Sequence, residues 1–532
     1  MKLKALKPRL YNIMFHTHTV SGIVISFVLF IIFYAGAFSL FRNELYTWEN
    51  PLARFETQEH VDYDNTLKLV ENYIKEKDAF SRIQLRPSTD DNPFIKFNGT
   101  YKKPKEGVKF VQFYINPHTN EVYKNPHSFN NSQSLTYMGD TIYRLHYLRA
   151  LIPVYGIYVA GIVAFFFLFA IVTGILIHWK NIFNKFYAFT VKGKWKQIWT
   201  NSHTTIGAIT IPFQVIYAVT GALLGLSILL LAPSAVLLFD GDRDEIIKLV
   251  APNGTIKYDE SAENVSNTIT INELYKKLSN EYPESDITRI QVFSWGKEDG
   301  TVLFQINDEN DIAGEGEFLY SAIDGTLLNS IRPETKTYTQ SAYRVLIKLH
   351  YAEFGGYLLK VIYFVLAMLT CFVISSGVMI WKTARETSKY TDKQKRFHHR
   401  VTKFYVSLTS GLFPAIALIF IANKIFPISM EYRVLYVKTT FFIGWIVCIG
   451  LGLLWNNYAK INRNYIAIGS ILAVLIPVFN GVVTGAWFWK TFANQQYYIF
   501  SVDFAWLMTG VFGLLVYIGY LRPKRELIPI KK

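Results

Sequence analysis

The chain has 532 residues, 51% hydrophobic and 16% aromatic, with 55 Lys and Arg against 40 Asp and Glu and a formal net charge of +15. That apolar share, gathered in long runs, excludes an ordinary string of soluble domains and places the chain among polytopic membrane proteins. Cys371 and Cys448 each sit in an apolar run; they exclude a disulfide framework and a C-x-x-C-H haem attachment site, and read as buried small hydrophobes.

Eight spans of about 20 or more residues are predicted, over 18–41, 151–179, 204–232, 356–381, 403–424, 434–456, 464–488 and 500–521. The segments 1–10, 180–202, 382–403, 457–463 and 522–532 hold 24 Lys/Arg and 3 Asp/Glu, a net of +21, which leaves 15 − 21 = −6 for everything else. A one-sided basic excess is the positive-inside signature, so these segments and both termini are expected in the cytoplasm. The excess reads as topology and contact with anionic membrane lipid, not as nucleic-acid binding. The first span, close to basic residues and with no small-residue cleavage site after it, reads as a retained anchor.

In chain order the expected organisation is a first transmembrane helix (1–41), a polar insertion (42–150), helices two and three with a basic loop (151–232), a second insertion (233–350), helix four with a basic loop (351–402), and helices five to eight with the tail (403–532). Both insertions fall on the outer side and read as small α+β modules. The first has Leu67, Leu69, Val70 and Tyr73 at helical spacing within 65–76, then strands over 83–86, 94–97 and 108–115. The second repeats the order, with a helix over 271–281 and strands over 287–294, 301–306 and 317–322. Asn116-Pro117 and Asp324-Gly325 supply turn signals at equivalent places. The fold class is therefore a membrane α-helical bundle of about eight transmembrane helices, with two extracytoplasmic α+β modules inserted in a parallel internal repeat. The last four spans carry no insertion and read as an appended bundle.

The chemistry is concentrated in histidines. His18 and His203 share the pattern H-T-x-x-G with a second glycine eighteen residues after the histidine (Gly22 and Gly36; Gly207 and Gly221), while His146 and His350 sit in matching L-H-Y triplets. Imidazole is costly in lipid without a partner, and two same-side histidines from different helices can ligate one metal axially, the way non-covalent b-type haem is held in helical bundles. The pairs are His18 with His203 on the inner side and His146 with His350 on the outer side, so that two stacked haems form a path for single electrons. An interfacial histidine satisfied by a carbonyl or a headgroup is the alternative at each position. Tetrahedral zinc would need further N, S or O ligands that the pattern does not supply.

His178 follows His146 by 32 residues, about 48 Å of helix at ~1.5 Å per residue, so it is a third inner candidate. It can replace His18 as partner to His203, or bond a propionate or a substrate. His16, roughly 200° around the helix from His18, is expected to face headgroups. His398 and His399 lie in a basic segment and read as solvated; His60, His118 and His127 have nothing converging on them. Arg144, Arg149 and Arg344 flank the outer histidines and suit haem propionates, an anionic ligand or plain snorkelling. The four repeated glycines suit close approach of helices or of a flat macrocycle. No dinucleotide fold motif, P-loop, G-x-S-x-G or H-E-x-x-H is present, and basic loops of about 20 residues cannot house a nucleotide-binding domain. Electrons must then come from membrane quinol, a cytoplasmic reductase or a diffusible donor.

Several stretches carry a family resemblance: H-T-V-S-G from His18, the span ending T-G-I-L-I-H-W-K-N-I-F at residues 173–183, W-T-N-S-H-T-T-I-G-A-I-T-I-P-F at 199–213, L-H-Y-A-E-F-G-G at 349–356, and A-N-K-I-F-P at 422–427. Over nearly its whole length the chain resembles the PepSY-associated transmembrane proteins linked to bacterial iron uptake. The resemblance implies PepSY-like periplasmic modules, an inner-membrane location, two b-type haems and reduction of ferric siderophores, with no catalytic side chain beyond the haem ligands. One-electron reduction suits that substrate, because hard oxygen chelators hold Fe(III) far more tightly than Fe(II). Gln214 stands where the longer members carry a histidine. Two rivals remain: a siderophore or haem permease or exporter using the late spans, which have no buried acid other than Asp503, and a non-enzymatic PepSY sensor or anchor, which would bind no chromophore.

Overall fold

The structure is a computed structural model that describes residues 6–50, 52, 61–73, 80–89, 93–103, 107–124, 138–181, 184, 187, 189, 193–250, 252–255, 258, 262–265, 268–308, 311–455 and 457–521. Its first elements are α1 (Pro8–Ser39), α2 (Arg42–Glu49), α3 (Tyr63–Tyr73), β1 (Phe80–Arg86), β2 (Ile95–Lys103), β3 (Gly107–Ile115), β4 (Val122–Lys124), α4 (Met138–His146), α5 (Gly156–His178), α6 (Trp195–Leu238) and α7 (Arg243–Val250). There follow α8 (Ile271–Glu281), β5 (Ser285–Phe293), β6 (Thr301–Asp308), β7 (Glu315–Ser321), β8 (Leu327–Ile331), α9 (Tyr338–Tyr351), α10 (Gly356–Thr383), α11 (Asp392–Ile425), α12 (Arg433–Leu454), α13 (Tyr458–Thr484), α14 (Phe488–Ala493) and α15 (Tyr497–Val516).

Among the described residues eight helices are long and apolar enough to cross a membrane: α1, α5, α6, α10, α11, α12, α13 and α15. The chain is a multi-pass membrane protein. Two of these helices start well before the apolar run. α1 opens at Pro8, with proline at its first turn, and α11 opens after Thr391, whose hydroxyl and the Gln394 side chain close a capping box. Such caps satisfy the first backbone N–H groups, so the helix continues through polar turns that hydropathy alone leaves out. His18 is consequently inside α1, about three turns from its start, and does not open it.

Contacts divide the chain into two compact units, one of 1–51, 136–218 and 364–532, the other of 52–135 and 219–363. In the first, α11 is the central helix: 72% of its apolar window is buried, against 22–44% for the other spans. The expected appended bundle is in fact built onto α1. Phe27 and Phe30 of α1 meet Tyr405 of α11 edge-on at 5.2 and 6.3 Å, and Phe38 stacks on Trp506 of α15 at 5.7 Å.

The short helix α2, absent from the sequence reading, locks this arrangement. Trp48 is fully buried and donates from Nε1 to Asp503 at 2.8 Å, while Asn480 donates to the other carboxylate oxygen at 2.7 Å. Lys424 donates to the Trp48 carbonyl at 2.6 Å and lies 3.8 Å from the centre of its ring. Asp503→Ala removes the carboxylate that accepts from the buried Trp48 and Asn480 donors, at about 1–3 kcal/mol for each lost bond. The purified protein is expected to melt several degrees lower, with Asp503→Asn intermediate; an unchanged melting temperature for the alanine variant would show that this carboxylate does not hold α2 in place.

The second unit is built on one eight-stranded sheet in the order β4-β3-β2-β1-β5-β6-β7-β8, with every neighbouring pair antiparallel. Each half follows the same sequence of one helix and four strands. The halves meet at β1 and β5, where Arg82, Ile83, Gln84 and Leu85 pair with Phe293, Val292, Gln291 and Ile290. They also share one apolar core, in which Leu67, Phe97 and Phe113 pack with Leu274, Phe304 and Phe318. The helix N-termini cap one another. Asp64 of α3 accepts from the backbone N–H groups of Ile271 and Asn272, and the Asn272 side chain accepts from the N–H of Tyr63 at 2.9 Å. A carboxylate at a helix start satisfies orphan donors and complements the helix dipole, and the Asn65 N–H and Asn272 amide hold the neighbouring Asp62 carboxyl below its ordinary range.

Candidate functional site

The first unit brings His18 and His203 together. Nδ1 of His18 lies 2.9 Å from the carbonyl oxygen of Ala170 on α5, and Nδ1 of His203 lies 2.9 Å from that of Val373 on α10. A carbonyl oxygen can only accept, so Nδ1 carries the proton in both rings and Nε2 keeps its lone pair. Two hydroxyls at matching places support the arrangement. Thr173 Oγ1 is 3.4 Å from His18 Nδ1 and Ser376 Oγ is 3.1 Å from His203 Nδ1, and each hydroxyl donates to a carbonyl of its own helix.

A glycine stands four residues beyond each acceptor carbonyl. A Cβ on Gly174 would sit 3.1 Å from His18 Cε1, and one on Gly377 would sit 3.3 Å from His203 Cε1. In a helix the carbonyl of residue i lies beside residue i+4, so a bare Cα at i+4 opens the space in which the imidazole reaches that oxygen. Two of the four glycines expected to allow close approach do not meet a ring: Gly22 has nothing within 4 Å of an added Cβ, and Gly207 only the Val373 side chain at 3.9 Å. Gly174 and Gly377 were visible only as T-G and S-G steps inside apolar runs, a pattern common in ordinary helix packing.

The two rings have centroids 6.3 Å apart and planes at 71°. A metal held through both Nε2 atoms at the ~2.0–2.1 Å of a metal–imidazole bond, with each ring centre about 1.1 Å behind its nitrogen, requires about 6.3 Å. Neither Nε2 has a hydrogen-bond partner among the described residues. The separation of the two ring centres therefore matches the span of two imidazoles sharing one metal. No three His, Cys, Asp or Glu side chains converge as a metal site among the described residues.

His146 uses the same device. Its Nδ1 is 2.9 Å from the carbonyl oxygen of Ile32 on α1, and Gly36 stands four residues on, where a Cβ would come within 2.6 Å of Nδ1. Here the repeated glycine does serve close approach. His350 belongs to the second unit, with Nδ1 2.8 Å from the Thr220 hydroxyl.

The remaining candidates sort by their contacts. His178 ends α5 within Coulombic range of His203, and His16 is exposed. Arg344 is committed inside the second unit, paired with Glu315 at 2.5 Å and Glu317 at 2.6 Å. Arg144 pairs with Asp140 at 2.7 Å, and Arg149 lies over the Tyr147 ring at 5.7 Å. Gln214 is buried and donates to Thr210 Oγ1 at 2.7 Å, a structural contact one turn back along α6.

No curated protein matches the chain. Residues 15–383 match the family model of the PepSY-associated TM region, well over half of the chain, and the chain belongs to that family.

Proposed function

We propose that this protein is a di-haem electron carrier of the bacterial inner membrane that reduces ferric siderophore iron in the periplasm during iron acquisition. The observation that carries the proposal is the His18–His203 pair: two neutral imidazoles, each fixed through Nδ1, 6.3 Å apart. On this reading both termini are cytoplasmic, the sheet-bearing modules are PepSY-like and periplasmic, and the two halves of residues 1–383 are a parallel repeat. His18 and His203 hold the inner b-type haem, and His146 and His350 hold the outer one. His18, His203, His146 and His350 are the residues that would hold the two haems, which would supply one-electron carriers at those positions.

The chain's own residues orient and insulate that path. The Nδ1–carbonyl bonds fix ring tautomer and direction, the second-layer contact that tunes a ligating histidine. His178 is left to bond a propionate near the inner site. Along α1, His18 and Ile32 are 14 residues apart, about 21 Å at ~1.5 Å per residue. At the Ile32 end of that interval Phe33 of α1 joins an aromatic cluster with Phe167, Phe213 and Tyr217, with neighbouring ring centres 4.6–6.3 Å apart. The electron donor on this scheme is membrane quinol or a cytoplasmic reductase.

The protein purified from haem-sufficient cells is expected to show a Soret band and an α band that sharpens with dithionite. Mixed anaerobically with ferric hydroxamate or catecholate siderophores, the reduced protein is expected to reoxidise. Absence of the Soret band ends the haem reading; a haem protein that stays reduced with every ferric siderophore points to transport or sensing instead.

A further inference from the structure

Where α10 ends and α11 begins, a half-open cavity of about 350 Å³ is lined by Lys382, Arg385, Lys395, Arg396, His398 and His399, with Glu386 as its one acid. Counting histidine as neutral, four cations less one anion give +3 in a space at the lower end of small-molecule sites. Basic residues near a membrane surface are ordinary when splayed into water. Three of the lining side chains, Arg385, His398 and His399, are instead held by their neighbours. The Arg385 guanidinium sits 4.6 Å from the centre of the Trp381 ring and gives one N–H to the Trp381 carbonyl at 3.1 Å, which fixes the plane of a group with five donors. His399 Nδ1 is held by the Tyr458 hydroxyl at 2.5 Å. His398 stands edge-on to Trp381 and Tyr390 at 5.0 and 5.4 Å, and its Nδ1 is buried with no hydrogen-bond partner.

Glu386 is taken by Lys382, the guanidinium charges that remain repel unless a further anion sits among them, and a buried ring nitrogen without a partner is costly unless a ligand supplies one. We propose that this cavity binds a phosphate ester anion, with Arg385 and Arg396 on the phosphoryl oxygens and His398 completing the contact. Guanidinium forks match phosphate oxygens in pairs. The volume exceeds a bare phosphate several-fold, so the ligand carries a substituent: the glycerol of an anionic phospholipid headgroup or the organic part of a soluble phosphomonoester. The proposal stands apart from the haem reading, since no haem ligand lines the cavity.

The test uses the full-length protein beside Arg385→Gln/Arg396→Gln, with Arg9→Gln as a basic residue elsewhere. In the lipid arm, the protein is reconstituted in nanodiscs of phosphatidylglycerol and phosphatidylcholine, extracted, washed with detergent and examined by native mass spectrometry for retained lipid. In the soluble arm, the delipidated protein is titrated with inorganic phosphate and with glycerol 3-phosphate while its melting temperature is followed. A headgroup ligand gives selective phosphatidylglycerol retention that falls about 30-fold in the double variant, the factor two basic residues supply at about tenfold per 1.4 kcal/mol. A soluble ligand gives a melting-temperature rise with the phosphate compounds that the double variant loses. Either result supports the site. If the double variant does not fold, Arg396→Gln alone, an exposed side chain, carries the test with a loss of about fivefold. No lipid selectivity and no phosphate-dependent rise in the wild type, or equal behaviour of wild type and variants, overturns it.

Discussion

His203→Ala is expected to leave the purified protein with one haem in place of two, the remaining one still reducible by dithionite. The reason is geometric. His203 and His18 are neighbours with ring centres 6.3 Å apart, and on the proposed scheme removing either ring leaves one of the two imidazoles that would hold the haem. His18→Ala should therefore match His203→Ala, while His178→Ala keeps full haem content and at most shifts a midpoint potential through a lost propionate contact. Haem quantified per chain, with reduced-minus-oxidised spectra, reads all three. Full haem content in His18→Ala, with loss in His178→Ala, would transfer the ligand role to His178 and leave the facing pair without a function.

On the proposed scheme, Gly36→Val is expected to remove the other haem with both of its histidines still in the sequence. The added Cβ would lie 2.6 Å from His146 Nδ1, closer than real contacts allow, so the imidazole must leave the Ile32 carbonyl or α1 and α4 must separate. Loss of the contact that orients a ligating histidine typically costs 10–100-fold in affinity, and overpacking adds about 1–3 kcal/mol of destabilisation. The variant should fold, melt lower, keep the His18–His203 haem and lose most of the His146 one. Gly377→Ala is a graded counterpart at the inner site, because its Cβ would stand 3.3 Å from His203 Cε1 and needs the ring to yield only a few tenths of an ångström. Two haems retained in Gly36→Val would show that the outer ligand is not seated against α1.

Hydropathy placed all eight apolar helices, because a stretch long enough to span lipid leaves few alternative readings. What it missed lies at helix ends and between helices. α2 escaped because an eight-residue segment, R-N-E-L-Y-T-W-E, shows no apolar period; its place is decided by Trp48 meeting Asp503, 455 residues away. His18, His146 and His203 were legible as candidates because each sits in a duplicated local pattern. Their acceptor carbonyls were not, since Ala170, Val373 and Ile32 contribute only backbone, which no side chain announces. Gly22 and Gly207 drew notice because they fall inside the repeated motif, whereas the glycines that seat His18 and His203 lie on other helices. Among the strands, the central segments of both modules were readable from alternation, but the pairing of β1 with β5 follows from shape and register, and neither strand encodes its neighbour alone.

That β1–β5 seam sets an order of events in synthesis. Gln84 pairs with Gln291, 291 − 84 = 207 residues later, so at ~5–20 residues per second the ribosome needs about 10–40 s to deliver the partner strand. In that interval α5 and α6 must enter the membrane while the first module presents β1 as an open edge, and Asp64 waits for the helix start it will cap. An open edge strand is a template for the wrong chain. The interval before β5 emerges is therefore when this protein most needs a chaperone, and a ribosome stalled between α6 and β5 would leave a half-sheet ready to pair with its copy on a neighbouring nascent chain.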